Sequence, residues 1–199
     1  MDPSEVEAKK SLLIKIAKRN FKLKHQTNNG GNLSVKLSSI PAIIIKPSGI
    51  GFNECNSQNL MIVDLEGKVL EGGLKPSKDL DFHLGLYNAR LDINAIVHCH
   101  SPWATACASS GIELPCLTVQ TKEKLGKIPL IPLSENGGPQ TSKEITPIMS
   151  DESINAAMLV NHGTVGLGKT LISAQYIVEL IEETAHIFCI NSSLKRIRG

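Results

Sequence analysis

The stretch Ala95–Trp103, AIVHCHSPW, decides how the rest of the chain is organised. Three apolar residues lead into two histidines separated by one cysteine, and Ser101-Pro102 ends the run. In an extended strand alternate side chains share a face, so His98 and His100 point one way and Cys99 the other. Ser101 as cap and Pro102 at the first helical position then open a helix through WATACASS. The histidine pair fits two arrangements: two imidazoles on one metal ion, or two polar side chains on the solvated side of an edge strand.

Outward from this strand, helical and extended patterns alternate. Leu12, Leu13, Ile16, Ala17 and Phe21 recur at helical spacing behind Ser4 and Glu7, which are spaced as a capping box. HQTNNGG at 25–31 reads as a polar loop, NLSVKL and AIIIKPSG as strands, and LMIVDLEGKVLEGG as a hairpin turning near Glu66-Gly67. Asp79, Phe82, His83, Leu86 and Tyr87 predict a helix from about Ser77 to Arg90. Downstream, the patterns predict a short strand at 128–133, a helix around Asp151–Ala156, an AMLV strand, and a long helix through Ile177, Leu180, Ile181, Thr184, Ala185 and Phe188. Helices interspersed with short strands predict an α/β fold, a single domain over residues 1–199 with a mixed or antiparallel sheet.

Composition narrows the function classes. The 21 basic and 19 acidic residues leave a net charge of +2, without a long basic tract or interleaved aromatics, which argues against nucleic acid as a partner. Cys55, Cys99, Cys107, Cys116 and Cys189 contain no CxxC pair, so free thiols in a cytoplasmic protein are expected rather than a disulfide framework. The N-terminus, MDPSEVEAKKSLL, has acids ahead of a short apolar segment and does not read as a secretory signal. No apolar run is long enough for a membrane span.

A metal reading of His98 and His100 needs further ligands. His162 follows a predicted strand in LVNHGTVGLG, and Asp79 belongs to the predicted helix that leads to the histidine strand. Three neutral imidazoles and a carboxylate suit a borderline-soft divalent ion. Taken singly, His162 reads equally as a loop or core histidine and Asp79 as a helix-cap residue. Anion binding is suggested by Gly30-Gly31-Asn32, by Ser48-Gly49 after Lys46-Pro47, and by Ser77-Lys78 after Lys75-Pro76. Glycine lets backbone amides approach an oxygen, serine donates a hydroxyl proton and lysine adds charge, although each segment is also an ordinary turn. Neither a P-loop pattern nor a GxGxxG fingerprint is present.

In this order, GGNLS at 30–34, KPSG at 46–49, LKPSKD at 74–79, IVHCHSPWAT at 96–105 and NHG at 161–163, the chain resembles the class II aldolase/adducin family. The resemblance implies an α/β fold with a central, mainly antiparallel sheet flanked by helices, commonly assembled as a four-fold homotetramer with sites near subunit boundaries. It implies that His98, His100 and His162 bind a divalent metal, usually Zn2+, and that Asp79 touches the metal or exchanges protons. It implies that Gly31, Asn32, Ser48, Gly49 and Ser77 hold a phosphorylated sugar, with Lys78 where a second serine is common. The activity expected is retro-aldol cleavage of a small phosphorylated ketose. The alternatives are a pentulose-5-phosphate 4-epimerase, which Asp79 in place of the aldolase branch's glutamate favours, and a noncatalytic module like the adducin head. LPCLTVQTKEKLGKIP at 114–129 lacks the family's distal proton-transfer residue; Lys122, Glu123 and Lys124 occupy that neighbourhood, read as a solvated charged turn.

Overall fold

The computed structural model describes residues 1–198. Helix α1 spans Pro3–Lys22. It starts two residues earlier than the Ser4 capping box predicted, because the Asp2 side chain accepts a hydrogen bond from the Ser4 amide at 2.9 Å and Pro3 needs no donor of its own in the first turn. Strands β1 (Asn32–Lys36), β2 (Ala42–Ile45), β3 (Met61–Asp64) and β4 (Val69–Glu71) follow, with the β3–β4 hairpin turning at Gly67 as expected. Helix α2 (Leu80–Ala89) leads into β5 (Ala95–Cys99), and α3 (Pro102–Ser109) begins at the Ser-Pro step.

Two segments depart from the sequence reading. The Lys122–Lys124 charges lie on a short helix, α4 (Val119–Lys124), whose start is capped by the Thr118 hydroxyl at 3.1 Å from the Thr121 amide. After β6 (Leu130–Ile131) the chain forms α5 over Gly138–Met149, and the helix expected around Asp151–Ala156 is absent. There the Asp151 carboxylate accepts from the amide and the hydroxyl of Ser153, at 2.9 and 2.8 Å, and closes a turn instead. Strands β7 (Ala156–Leu159) and β8 (Gly163–Gly168) and the long helix α6 (Leu171–Arg198) complete the chain.

The strands form one sheet in the order β4-β3-β2-β1-β5-β8-β7-β6, antiparallel throughout except for the β6–β7 pair. Strand alternation sorts the side chains onto two covered faces. Leu33, Val35, Ile44, Ile62, Val97 and Cys99 pack under α1 and α6, with Leu13, Ile16, Ala174 and Val178. Ile43, Ile45, Met61, Val63, Ile96 and Val165 pack under α2 and α5, with Phe82, Leu86, Ile145 and Met149. This parity puts Asn32, Ser34 and His98 on the α2 face, where they bond to or stack on one another or α2 residues. Strand β5 lies between β1 and β8, so the edge-strand reading of the histidine pair does not hold.

Strand β8 lies unusually close to α6. A Cβ built on Gly166 would stand 2.7 Å from the Ala174 carbonyl, and one on Gly168 would stand 2.5 Å from the Ala174 amide. Among the described residues, no helix is long and apolar enough to cross a membrane.

Candidate metal centre

The three histidines come from one end of β5 and the turn into its neighbour β8. Asn32 pairs with His98 across β1–β5, and His98 pairs with Val165 across β5–β8. His162 stands in the turn just before β8, behind Asn161, which takes a left-handed φ of 56°. Gly163 follows because a Cβ there would lie 2.4 Å from the Cys99 carbonyl. His98 Nε2 is 2.9 Å from His162 Nε2 and 3.2 Å from His100 Nε2. Nitrogens about 2.1 Å from one tetrahedral ion stand about 3.4 Å apart, so these two distances are within about 0.5 Å of a shared-ion arrangement, and all three ligand nitrogens lie within 4.8 Å of one another. Cys99 faces the α1–α6 core, as the alternation predicts.

The protonation states suit ligation. His98 Nδ1 donates to the Thr164 carbonyl at 2.9 Å, leaving the Nε2 lone pair for the centre. Burial, followed by the neighbouring His162 and His100, drives the His98 pKa well below the ordinary imidazole value. Burial lowers His100 to about 4, with His162 and Lys78 adding to the effect. It lowers His162 as well, against an opposing pull from Asp79. All three rings are therefore neutral near pH 7, the form that binds a metal.

Asp79 caps the start of α2 but makes no side-chain capping bond. It is only 3% exposed. Its Oδ2 accepts from Asn32 Nδ2 at 2.7 Å and stands 3.8 Å from His98 Nε2. Its Oδ1 is buried without any partner. A buried carboxylate oxygen left without a donor is costly, and a cation or a substrate proton at this spot would remove that cost. The donor set of three neutral imidazoles and one carboxylate thus fits a divalent ion.

The three glycine- and serine-containing turns converge beside Asp79. Asn32 Nδ2 also reaches Ser77 Oγ at 3.0 Å, and the Ser48 amide donates to the Lys75 carbonyl at 3.0 Å. Gly31 holds a φ of +61°, and a Cβ there would meet Gln26 Oε1 at 2.7 Å and the His98 carbonyl at 2.9 Å. Ser48, Gly49 and Lys78 are exposed, whereas Gly31, Asn32 and Ser77 are buried. The segment is thus open on one side, with donors at its floor.

Several contributors were read otherwise, or not singled out, in the sequence. Lys46, 1% exposed, does not reach outward but donates to the carbonyls of Asn29, Pro47 and Ile50, tying two of the turns together. Gln26 Oε1 accepts from the His100 amide at 2.9 Å. Gly137 presses its backbone on the site: a Cβ would lie 3.1 Å from Asp79 Oδ1, and the next amide, Gly138, donates to the Lys78 carbonyl at 2.7 Å. Glu182 reaches from α6 to the start of α3 and accepts from the Trp103 and Ala104 amides at 3.0 and 2.8 Å. The signal for Lys46 was its position inside an apolar strand end; Gly137 and Glu182 act across long sequence separations and left none. Helix α4 with Lys122 joins α6 through Thr121 and Thr184, and no hydrogen bond among the described residues links it to Asp79 or the histidines.

Fold and centre together define a helix-flanked, mainly antiparallel sheet carrying three histidines that could hold a metal ion at the ends of its central strands. The chain belongs to the class II aldolase and adducin family: the Class II Aldolase and Adducin N-terminal domain matches residues 11–189. It is 34% identical over 187 residues to the L-fuculose phosphate aldolase of Methanocaldococcus jannaschii, covering 94% of this chain and 99% of that one. It is 32% identical over 190 residues to the 3-oxo-tetronate 4-phosphate decarboxylase of Haemophilus influenzae, covering 91% and 87%. A solved L-fuculose 1-phosphate aldolase superposes with a TM-score of 0.87 at 30% identity, over 94% of this chain and 87% of that one.

Proposed function

We propose that the protein is a metal-dependent lyase that cleaves a small phosphorylated ketose, of the fuculose 1-phosphate kind, by a retro-aldol reaction. The observation that carries this reading is the unpartnered Oδ1 of Asp79 beside three converging imidazole nitrogens. In it, His98, His100, His162 and Asp79 hold one divalent ion, most simply Zn2+, and Gly31, Asn32, Ser48, Gly49, Ser77 and Lys78 hold the sugar phosphate. The ion, when bound, supplies Lewis acidity to the carbonyl end of the ketose.

The remaining work falls to the chain itself. Serine hydroxyls, backbone amides at the two exposed turns and the Lys78 ammonium offer the donors a phosphate needs. Anchoring the phosphate orients the reacting carbons and spends remote binding energy on the chemical step. Asp79 Oδ1, when the ion does not engage it, takes the proton of the hydroxyl on the carbon that leaves as aldehyde and returns it to the carbon from which that aldehyde departs. Asn32 keeps the other oxygen of Asp79 occupied.

A second reading has its own support. The decarboxylase relative suggests loss of carbon dioxide from a phosphorylated 3-oxo acid, a reaction that leaves negative charge beside a carbonyl just as aldol cleavage does. Metal-loaded protein offered phosphorylated ketoses, pentulose 5-phosphates and 3-oxo-tetronate 4-phosphate separates the readings by product. Triose phosphate with an aldehyde supports the lyase; an epimer or carbon dioxide supports an alternative. No turnover of any ketose phosphate by fully loaded protein would overturn the lyase.

The same proposal includes a homotetramer in the cytoplasm. A groove of about 720 Å³ between α1 and α6, lined by Leu12, Ile16, Ile172 and Tyr176, supports a subunit contact on that face. Light scattering checks the assembly.

A further inference from the structure

A buried line of hydrogen bonds runs from Asp79 back into α2. Asn32 Nδ2 is 2.7 Å from Asp79 Oδ2 and 3.0 Å from Ser77 Oγ. Two oxygens repel at the first of these distances, so the carboxylate dictates which way the Asn32 amide faces. The amide oxygen therefore turns to His83 Nε2. An amide oxygen only accepts, so Nε2 must carry the ring proton. Burial holds the ring neutral, its pKa pushed down to about 3, which leaves Nδ1 as an acceptor. Nδ1 then accepts from the Ser34 hydroxyl at 2.7 Å, and Ser34 accepts from the Tyr87 hydroxyl at 2.8 Å. None of these five side chains is more than 3% exposed. One carboxylate thus fixes the direction of every proton along the line.

We propose that His83 is a positioning residue for Asp79: held as the Nε2-protonated tautomer by Ser34 and Tyr87, it locks the Asn32 amide, which ties down Asp79 Oδ2 and leaves Oδ1 as the single free oxygen. A free carboxylate offers two equivalent oxygens and swings between them. Here one is committed to Asn32, and the other has no donor at all. The His83 ring makes no hydrogen bond to the three histidines or to the Asp79 carboxylate, and its backbone amide meets only the Asp79 carbonyl as part of α2, so the ring acts on the carboxylate through Asn32. The kinetic part of this inference rests on the proposed lyase reading; the tautomer and the amide orientation do not.

The test uses the full-length protein, metal-free and zinc-loaded, with His83→Phe, His83→Gln and Tyr87→Phe. Nitrogen NMR of the wild-type imidazoles should show His83 protonated at Nε2 and unprotonated at Nδ1, and the Asn32 side-chain amide resonances should move in His83→Phe. With the substrate identified by turnover, His83→Phe should lower kcat about 10- to 100-fold, the range seen when outer-shell partners are removed, with a smaller change in KM because Ser48, Gly49, Ser77 and Lys78 keep their places. His83→Gln, whose amide can donate to Asn32 and accept from Ser34, should restore most of that loss. An Nδ1-protonated His83, Asn32 resonances unmoved in His83→Phe, or equal kcat loss in His83→Phe and His83→Gln would each overturn the proposal. Should His83→Phe fail to fold, the wild-type tautomer and the Tyr87→Phe amide shift still decide it: an Nδ1-protonated His83, or Asn32 resonances unmoved in Tyr87→Phe, would overturn it. Absence of turnover in the wild type would remove the lyase reading and leave these NMR outcomes to judge His83.

Discussion

The two ends of helix α2 each bury a charged side chain and treat it in opposite ways. At the C-terminal end Arg90, 1% exposed, uses its whole guanidinium fork. Nε and Nη2 donate to the Asp92 carboxylate at 2.7 Å, Nη1 donates to the carbonyls of Met149, Asp151 and Ile154, and Nη2 also reaches Asn155 Oδ1. At the N-terminal end Asp79 keeps one oxygen without a partner, and three imidazole lone pairs gather beside it. The same burial cost operates at both ends. Where it is fully compensated the charge is architecture; where it is left open the charge is a place for a ligand.

Removing His98 and His100 breaks the contrast most completely. The double variant His98→Ala/His100→Ala should lose tight metal binding and lower turnover at least about 1,000-fold, as expected when Lewis-acid stabilisation is lost. Metal analysis after gel filtration checks the first half, and retained stoichiometry would refute the ligand assignment. At the other end, Arg90→Ala should cost about 3–5 kcal/mol in denaturant unfolding, because it strands Asp92 and several carbonyls. Turnover per folded molecule should stay unchanged, and a loss of metal affinity would erase the distinction between the two ends.

Acidification sharpens the comparison further. The folded-state pKa of His83, about 3, lies below the unfolded value of 6.5. The unfolded chain therefore takes up the proton first, and stability present above pH 6.5 is lost progressively as the pH falls toward 3. The slope from this one group is about 1.4 kcal/mol per pH unit at most. Unfolding of metal-free His83→Gln across that window should show a slope shallower by one proton, whereas an unchanged slope would mean His83 is not buried neutral. The smallest effect belongs to a third buried charge, Glu182, which follows the Arg90 pattern with both oxygens satisfied. Glu182→Ala should cost about 1 kcal/mol, the usual worth of a helix cap, and should leave metal affinity intact in a titration.

Much of the N-terminal end of α2 was legible before any coordinates. Alternation along AIVHCH put two histidines on one face, and NHG and KPSKD supplied the third histidine and the carboxylate in residue types that suit a divalent ion. The strands β1 to β5 and the helices α1, α2, α3 and α6 follow from local spacing. What escaped was set by distant partners. His83 showed only as one more residue at helical spacing, because its neighbours Ser34 and Asn32 are brought to it by the sheet. Lys46 suggested an anion partner but turned inward to three carbonyls. Helix α5 was hidden behind a Gly-Gly-Pro start and an internal Pro147, both of which read locally as breaks.

Strand β8 gives the C-terminal helix an unexpected reach. With Gly166 and Gly168 facing α6, the strand lies against the Ala174 backbone and the side chains of Ser173 and Val178. A single added methyl group would act as a wedge there. Its thrust would travel two ways: down β8 to His162, which stands at the strand's root, and along α6 to Glu182, which holds the start of the helix after His100. The strand is thereby intolerant of even alanine at positions that touch no ligand.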